Sequence, residues 1–408
     1  TQNLIPREIL KEAEVIVERV RAGGEATIRE YAIRFGERGP DQPLFITREE
    51  IRRQFEALEP TDRRRLERIG DRIRSFAVAQ RDALTPLVVD VPGGTMGQSI
   101  APVAAAGCYA PGGRYPLPSS VLMSAIPAKV AGVESIWVAS PRPTPITLAA
   151  AAVAEVDGIL AVGGAHAIAG LAFGVGPVPP SDIIVGPGNL YVTAAKQLLA
   201  GSVAIDMLAG PSELVVIADG TANPAWVAAD LLAQAEHDPD ALPILIALDP
   251  KLIPEVEGEL RVQLADLPTA DTARAALRKG GVIACPDVEK AVEVCDAIAP
   301  EHLQLSVGDP AELASRLNHY GAIFIGEGSA EVFGDYGVGP NHVLPTSGTA
   351  RTRGGLSVMD FLRVRTWIRL DEPGPSPELV EDSAWLARKE GLEAHARAAE
   401  FRHRCHSY

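Results

Sequence analysis

The pattern of apolar and polar positions begins with a helical N-terminal part. Residues 9–21 repeat apolar side chains at helical spacing, Gly23-Gly24 ends that helix, and a second helix follows over residues 25–35. Residues 48–80 are charged and carry many Arg/Glu pairs four residues apart, a spacing that also predicts helix. We expect this part of the chain to be a helical scaffold that carries no obvious chemistry.

From about residue 100, short β-branched runs alternate with Ala-rich helical runs. Strands are predicted at residues 135–139, 158–162, 182–185, 213–218, 244–248, 281–284 and 322–325. Helices are predicted at residues 120–130, 145–153, 165–173, 190–199, 224–235, 252–264, 288–298 and 311–320. This alternation is typical of parallel sheets with right-handed crossovers. The predicted fold class is therefore α/β, with two similar, incomplete Rossmann-like parallel-sheet units.

The alternation stops after about residue 357. Residues 371–377 are Pro-rich and indicate a linker or turn, and residues 379–401 predict a terminal helical stretch with a possible break at Gly391. The predicted domains are residues 1–108 with 214–356, including the N-terminal helices; residues 109–213, as a second, nucleotide-binding α/β domain; and residues 357–408, as a C-terminal helical segment.

Composition narrows the class of partner. The chain has 408 residues, 47% of them hydrophobic, and 38 Lys plus Arg against 53 Asp plus Glu, a net charge of −15. That charge argues against a nucleic-acid surface or an anionic membrane as partner. The four cysteines show no CxxC spacing, no apolar signal core opens the sequence, and the apolar run 147–163 is interrupted by Glu155 and Asp157. We expect a soluble cytoplasmic protein.

Three predicted strands run into glycine loops before a helix, at residues 107–113, 162–166 and 185–189. Glycine allows close approach of a ligand, and a helix N-terminus favours an anion. Together the loops suit a dinucleotide, although none is a GxGxxG followed by an acidic residue. Ordinary βα turns explain any one loop equally well.

A separate polar stretch, residues 230–239, predicts a helix that stops at Pro239. Gln234 and His237 are three residues apart, so both side chains would leave the same face of that helix. An imidazole and an amide oxygen are metal ligands. The spacing alone favours the simpler interpretation of a polar helix end.

Other polar groups occur later in the chain. Glu301 and His302 are adjacent titratable residues, which suits paired proton transfer. Residues 334–345 form a glycine-rich stretch that carries Asp335 and His342 without a charge run, a composition common in functional loops. For each of them a purely structural role is the simpler alternative.

The C-terminal stretch carries two further polar residues, Glu390 and His395, five positions apart. On a continuous helix they would point about 140° apart. They converge only at a helix end or bend, which Gly391 permits. From spacing alone, a surface helix with an exposed histidine is the better interpretation.

These stretches form a series that covers nearly the whole chain: Tyr109-Ala-Pro-Gly-Gly, Ser119-Ser-Val-Leu-Met-Ser-Ala-Ile-Pro-Ala-Lys-Val-Ala-Gly132, Gly186-Pro-Gly-Asn189, Ala209-Gly-Pro-Ser-Glu213, Ala233-Gln-Ala-Glu-His237, Pro300-Glu-His-Leu303, Gly334-Asp-Tyr336, Gly339-Pro-Asn-His-Val-Leu-Pro345 and Glu390-Gly-Leu-Glu-Ala-His395. Together they resemble the histidinol dehydrogenase family. The combination is highly specific, whereas no single motif is.

The resemblance implies a zinc-dependent enzyme of histidine biosynthesis that oxidises L-histidinol to L-histidine with two NAD+. It places the zinc ligands at Gln234, His237, Asp335 and His395, and the acid/base pair at Glu301 and His302. Substrate contacts fall on Ser212, Gln234, His237, His302, Asp335, His342, Glu390 and His395, and cofactor contacts on Tyr109, His166 and Asn189. It also implies a homodimer with shared active sites, in which the C-terminal segment reaches the partner's site.

One position departs from the family pattern. The family usually has Gln in the Gly-Gly-Ala-Gln loop, and this chain has His166. Two alternatives therefore stay open: a paralogue that oxidises another small polar alcohol, and a non-catalytic small-ligand binding protein. An assay with histidinol separates the first alternative from the main prediction, because the paralogue would form NADH only from a different alcohol.

Overall fold

The structure, a computed structural model, describes residues 5–112, 115–370 and 374–404. Three sequence predictions involve residues outside these ranges, namely Gly113 of the first glycine loop, residues 371–373 of the linker and Cys405.

Helices and strands alternate along most of the described chain. The strands are β1 Phe45–Thr47, β2 Leu87–Val91, β3 Gly94–Pro102, β4 Ala105–Tyr109, β5 Ser135–Ala139, β6 Gly158–Leu160, β7 Ile183–Val185, β8 Ala204–Ile205, β9 Glu213–Ala218, β10 Leu242–Ala247, β11 Gly281–Ala284, β12 His302–Ser306, β13 Ala322–Ile325 and β14 Leu362–Leu370. The helices are α1 Arg7–Arg34, α2 Arg48–Ala57, α3 Pro60–Asp82, α4 Pro118–Ala131, α5 Pro145–Val153, α6 Gly164–Phe173, α7 Leu190–Leu199, α8 Pro224–Ala235, α9 Leu252–Ala265, α10 Ala270–Leu277, α11 Val288–Ile298, α12 Pro310–Ala314, α13 Glu331–Tyr336, α14 Pro377–Lys389 and α15 Glu393–Arg404.

The first sheet has the strand order β1-β6-β5-β4-β7-β8. Its pairs are parallel except for β1 with β6. Helices α1, α6 and α7 pack together over a shared apolar core that includes Ile28, Ile168 and Val192. The chain order along the sheet reverses between β4 and β7, and ligands bind at such a reversal, beyond the carboxyl ends of the strands. The glycine loops after β4 and β7 therefore flank the expected ligand crevice.

The second sheet is parallel throughout and has the order β11-β10-β9-β12-β13. Alternate residues of its central strand β9 pack in two separate hydrophobic cores, one on each face of the sheet. Leu214 and Val216 pack with α8, whereas Val215 and Ile217 pack with residues of α11. Because the side chains of a strand alternate between faces, both faces of this sheet are buried. That double burial holds the starts of β9 and β12 in fixed register, with His302 opposite Leu214.

By its internal contacts the chain forms two units. The first comprises residues 1–80 with 103–361 and contains both parallel sheets. The second comprises residues 81–102 with 362–408, and its described part contains the antiparallel sheet β14-β3-β2 and helices α14 and α15. Among the described residues, no helix is both long and apolar enough to cross a membrane.

The α/β class with parallel sheets is confirmed, and several elements have the predicted bounds, among them β9, β11, α7 and α8. The predicted break in the first helix is also confirmed. Gly24 has φ 53° and ψ −133°, values that a helical residue does not adopt. The C-terminal break at Gly391 is confirmed in the same way, with φ 79° between α14 and α15.

Some local predictions were wrong. The helix expected at 311–320 ends at Ala314, because the chain turns there and the amides of Asn318 and His319 bond to Asp296 Oδ1 at 3.0 and 3.1 Å. The helix expected over residues 230–239 ends at Ala235, so His237 lies just beyond it.

Other elements were not predicted from the sequence. Strand β12 was missed because it starts with the polar residue His302. Strands β2, β3 and β14 were also missed: β2 and β14 are largely exposed, and β14 pairs with β3 from a distant part of the chain.

The packing of α1 differs from the predicted grouping. This helix lies against α6 and α7 of the first sheet, whereas the predicted domains placed the N-terminal helices with the second sheet. The reason is its apolar face, where Val17, Val20 and Ile28 are buried in the core of the first sheet. The three-domain division itself stays a prediction.

The reversal between β4 and β7 depends on Gly186, which has φ 111°. A Cβ at this position would lie 2.1 Å from the carbonyl oxygen of Tyr109. We expect Gly186→Ala to lower the free energy of unfolding by about 2–4 kcal/mol, measured by urea denaturation. Gly201→Ala is the matched control, since a Cβ there meets nothing within 4 Å. Equal stability of the two variants would show that the reversal does not need a glycine at position 186.

Candidate active site

A polar cluster is buried at the amino ends of the second sheet's strands. Ser212 and Glu213 lie at the start of β9, and Glu301 and His302 at the start of β12. Because β9 and β12 are parallel neighbours, both pairs meet at one edge. General experience with α/β sheets places ligands at the opposite, carboxyl edge. The location of this cluster therefore does not follow from the fold class.

Two helices bring further side chains to the same edge. Helix α8 follows β9 and returns to this side, where its last turn presents Gln234, which is fully buried. The amide of His237 bonds to the carbonyl oxygen of Gln234 at 3.3 Å, so the two residues remain close although the helix has ended. Helix α13 carries Glu331 and Asp335 four residues apart, which directs both carboxylates to one face.

His302 stands at the centre of this cluster. Its Nε2 lies 3.9 Å from Asp335 Oδ1, and its Nδ1 lies 3.5 Å from Glu331 Oε1 and 3.6 Å from Glu301 Oε2. Asp335 also approaches His237, whose Nε2 is 3.7 Å from Asp335 Oδ2. Residues from three separate parts of the chain thus converge within ion-pair distance.

The tautomer of His302 follows from its backbone contact. Nδ1 lies 3.1 Å from the carbonyl oxygen of Glu213, which can only accept, so Nδ1 carries the proton. Nε2 has no hydrogen-bond partner among the described residues. Burial lowers the pKa of His302 to about 3. The imidazole is therefore neutral and has a free acceptor nitrogen, as a general base requires.

Glu301 is held by two donors. Ser212 Oγ donates to Glu301 Oε2 at 2.6 Å, and the amide of Glu213 donates to the same oxygen at 2.9 Å. Burial nevertheless raises the pKa of Glu301 to about 8, against these hydrogen bonds. The carboxyl group therefore titrates within the range in which an acid/base residue is useful.

Several buried polar atoms of the cluster lack a partner within the described chain. They are both side-chain polar atoms of Gln234, both carboxylate oxygens of Glu331, and Nε2 of His302 and of His342. Unpaired buried polar groups are costly, and they are often explained by a ligand or ion. Burial raises the pKa of Asp335 to about 7 and that of Glu331 well above its usual range.

The donor set fits a divalent metal ion. His237, Glu331 and Asp335 each offer one ligand atom, and these atoms all lie within 4.8 Å of one another. Imidazole nitrogen and carboxylate oxygen are the donors that zinc accepts in catalytic sites. Gln234 is a further candidate donor, because its buried side-chain oxygen lacks a partner among the described residues and its backbone carbonyl accepts from the amide of His237. The residues present therefore fit the zinc site that the resemblance implies, with Glu331 as an additional candidate.

One cavity of about 1350 Å³ is lined by His237, Glu331 and Asp335 of this cluster, whereas Glu301 and His302 are not among its lining residues. Tyr109, His166 and Asn189, from the glycine loops of the first sheet and their flanks, line the same cavity. Small-molecule sites span about 300–1000 Å³. The cavity is thus large enough for a substrate and a dinucleotide side by side.

Two of the predicted site residues belong to the second unit. Glu390 ends helix α14 and His395 lies in the first turn of α15, and both are exposed. Their place in the site stays a prediction.

Sequence reasoning missed Glu331, which has the deepest burial of the cluster's carboxylates at 2% exposure. A signal was present, because Glu331 precedes Asp335 by one helical turn. It went unnoticed because α13 was not predicted as a helix, and a four-residue spacing places two side chains on one face only in a helix.

Comparison with known proteins identifies the family of this chain. The histidinol dehydrogenase family profile matches residues 2–403. The histidinol dehydrogenase of Thermus thermophilus is 49% identical over 352 residues, which cover 86% of this chain and 85% of that protein. The chain belongs to the histidinol dehydrogenase family. It is therefore an oxidoreductase, as members of this family are.

Two further relatives agree. The histidinol dehydrogenase of Ralstonia nicotianae is 43% identical over 400 residues, covering 96% of this chain and 90% of that protein. The crystal structure of histidinol dehydrogenase from Elizabethkingia anophelis superposes with a TM-score of 0.91 at 32% identity, covering 96% of this chain and 91% of that chain. An acetylating aldehyde dehydrogenase from Geobacillus thermoglucosidasius, 14% identical with a TM-score of 0.52 over 90% of this chain and 98% of that chain, shares the fold alone.

The raised pKa of Glu301 predicts a pH-dependent stability. Its value of about 8 exceeds the ordinary 4.5, so ionisation opposes folding, and the free energy of unfolding falls as pH rises between these values. We expect Glu301→Gln to match the wild type at pH 4.5 and to exceed it by about 1–3 kcal/mol at pH 8.5, in chelator-treated protein. Denaturant unfolding at both pH values measures the difference.

Glu293→Gln is the matched control, because Glu293 is exposed on α11. It should show no such dependence on pH. A stability difference for Glu301→Gln that stays constant from pH 4.5 to 8.5 would contradict the assignment.

Proposed function

We propose that this chain oxidises L-histidinol to L-histidine in a zinc-dependent reaction that consumes two NAD+. The observation that carries the proposal is His302. Its imidazole is held neutral, with Nδ1 bonded to the backbone and Nε2 free, next to a set of potential metal ligands. This arrangement suits an alcohol oxidation, in which a base must remove the hydroxyl proton.

Zinc would be held by Gln234, His237 and Asp335 and by His395 of a second subunit. When bound, it would anchor and orient the polar groups of the amino alcohol. The unpaired amide of Gln234 and the proximity of His237 to Asp335 support the first three of these ligands. Glu331 lies close enough to serve as a further ligand or to hydrogen-bond the substrate's amino group.

The two oxidations place different demands on the protein. NAD+ would accept one hydride in each of them. In the first, His302 Nε2 takes the hydroxyl proton while the carbon–hydrogen bond breaks, and the alcohol becomes an aldehyde. In the second, Glu301 takes a proton from water as the water oxygen bonds to the aldehyde carbon. The resulting hydrate then loses its proton and the second hydride to give the carboxylate.

Ser212 and Glu213 prepare Glu301 for this role. Their hydroxyl and amide donors fix one carboxylate oxygen and stabilise the charged form, which offsets part of the effect of burial. His342 is also buried, and burial lowers its pKa to about 4. A neutral His342 with a free Nε2 suits recognition of the imidazole N–H of histidinol.

NAD+ would lie in the part of the cavity lined by the glycine loops, against Tyr109, His166 and Asn189. The hydroxyl of Tyr109 accepts from the amide of Gly164 at 3.2 Å, and burial raises its pKa to about 12, so it stays neutral. Asn189 caps α7 through its side chain and thereby fixes the loop after β7.

The active form would be a homodimer with shared sites. Glu390 and His395 would complete the site of the partner subunit, where Glu390 contacts the substrate and His395 ligates the metal. The break at Gly391 supports this role, because it separates α14 from α15 and lets the two residues point in one direction. Their exposure in the single chain is consistent with burial on dimerisation.

The direct test replaces the proposed base. We expect His302→Asn to lower the rate of NADH formation from histidinol by about 10²–10⁴, the usual contribution of general base catalysis. Zinc content should remain near the wild-type value, because His302 is not among the proposed ligands. Steady-state assays and metal analysis on the same preparation measure both quantities.

His319→Asn is the control, since His319 takes part in none of the ion-pair contacts that join the cluster. Loss of zinc in the His302 variant would make His302 a ligand and contradict the proposed roles. A wild-type protein that forms NADH from another alcohol but none from histidinol would contradict the substrate.

A further inference from the structure

A second buried ionisable pair lies on the opposite wall of the cavity, away from the metal cluster. His166 Nε2 is 3.0 Å from Glu37 Oε2, and the two side chains are only 2% and 11% exposed. Both residues line the cavity, as do the proposed cofactor contacts Tyr109 and Asn189. Glu37 follows α1, in the N-terminal part of the chain for which the sequence predicted no chemistry.

The pair is held in one orientation. The His166 ring packs beside the stacked pair of Tyr31 and Phe35, with its centroid 5.6 Å from that of each ring. The backbone of Glu37 is fixed as well, because its amide bonds to the carbonyl oxygen of Ala32 at 2.8 Å.

The pair also determines the shape of the glycine loop before α6. Glu37 Oε2 accepts from the amide of Gly163 at 3.1 Å, in addition to facing His166. The next amide, that of Gly164, donates to the hydroxyl of Tyr109. Gly164 has φ 62°, a conformation that glycine adopts readily, and the two hydrogen bonds select it.

Because of these contacts, the amides of Gly163 and Gly164 at the start of α6 are not available to bind a cofactor phosphate. A helix N-terminus usually attracts an anion, but here a carboxylate of the protein already occupies that position. The turn therefore serves as a rigid surface against which a cofactor packs. Its rigidity comes from a charged hydrogen bond that two residues far apart in sequence share.

We propose that Glu37 and His166 are a positioning pair that fixes the Gly163-Gly164 turn and thereby sets the affinity for the dinucleotide. The inference rests on the proposed function for the identity of the cofactor. It also explains the departure from the family pattern, since a histidine at position 166 donates to Glu37 as a glutamine amide would. The pair acts through the turn and Tyr109, and takes no part in proton transfer.

The test measures NAD+ binding directly, by titration calorimetry on the full-length protein. Glu37→Gln and His166→Leu should each raise the Kd for NAD+ about tenfold, because a neutral amide at position 37 accepts hydrogen bonds less strongly than a carboxylate, and a leucine at position 166 donates none. The double variant should be no weaker than His166→Leu alone. His166→Gln should stay within about threefold of the wild type, since its amide restores the donor.

Steady-state kinetics on the same variants separate positioning from a general loss of structure. The KM for NAD+ should rise, while kcat at saturating NAD+ and the KM for histidinol should stay within about twofold of the wild type. Glu18→Gln is the matched control, because Glu18 lies on α1, is 57% exposed and does not line the cavity. It should leave every constant unchanged.

Three outcomes overturn the pair's role: unchanged NAD+ binding in both Glu37→Gln and His166→Leu, equal weakening in His166→Gln, and absence of NAD+ binding by the wild type. If Glu37→Gln does not fold, His166→Leu and His166→Gln decide the matter. The proposed function has a separate test. A wild-type protein that binds NAD+ but does not oxidise histidinol would contradict the proposed substrate, and the NAD+-binding test of the pair would still apply.

Discussion

Three carboxyl groups and one imidazole are buried together at the amino ends of the second sheet, and the rest of the site depends on how their charge is balanced. Glu301, Glu331 and Asp335 are each less than a tenth exposed. Within the described part of the chain, no lysine or arginine forms an ion pair with any of them, and burial raises the pKa of each. A buried charge without a partner is among the most costly features of a fold.

The negative charge of such a cluster can be balanced in two ways: the carboxyl groups are protonated, or a cation binds between them. In the metal-free chain the carboxyl groups are protonated, and the site then carries little negative charge near neutral pH. A bound cation would restore the charge and give the unpaired atoms of Gln234 and Glu331 a partner. A site arranged in this way would bind a metal at the expense of its own metal-free stability, which is common where function and stability compete.

The fold explains why the proposed substrate and cofactor sites would meet. The glycine loops at the carboxyl ends of the first sheet's strands line the cavity, and the end of α8 and helix α13 line the same cavity. Helix α1 closes the cofactor side by carrying Glu37 to the turn before α6. The N-terminal segment is therefore part of the site and not only a scaffold.

The sequence predicted the fold class and many element bounds, because fully buried parallel strands and Ala-rich helices have clear patterns. It did not predict β12, since its first residue is the polar His302. It did not predict the antiparallel sheet either, although β2 is apolar and β14 has apolar residues at alternate positions, because neither strand lies in the alternation of strands and helices that was used to predict the sheets. Motif resemblance supplied the candidate site residues that spacing alone left ambiguous. Glu331 escaped both because α13 was not predicted as a helix. Glu37 escaped both because its contact with His166 forms only when distant segments pack together.

The most direct measurement is anomalous diffraction at the zinc edge from crystals of the zinc-loaded protein. We predict one peak per chain, about 2.0–2.2 Å from side-chain atoms of Gln234, His237 and Asp335 and of the partner subunit's His395. A peak remote from Gln234, His237 and Asp335, or these three side chains turned toward separate places, would contradict the proposed metal site.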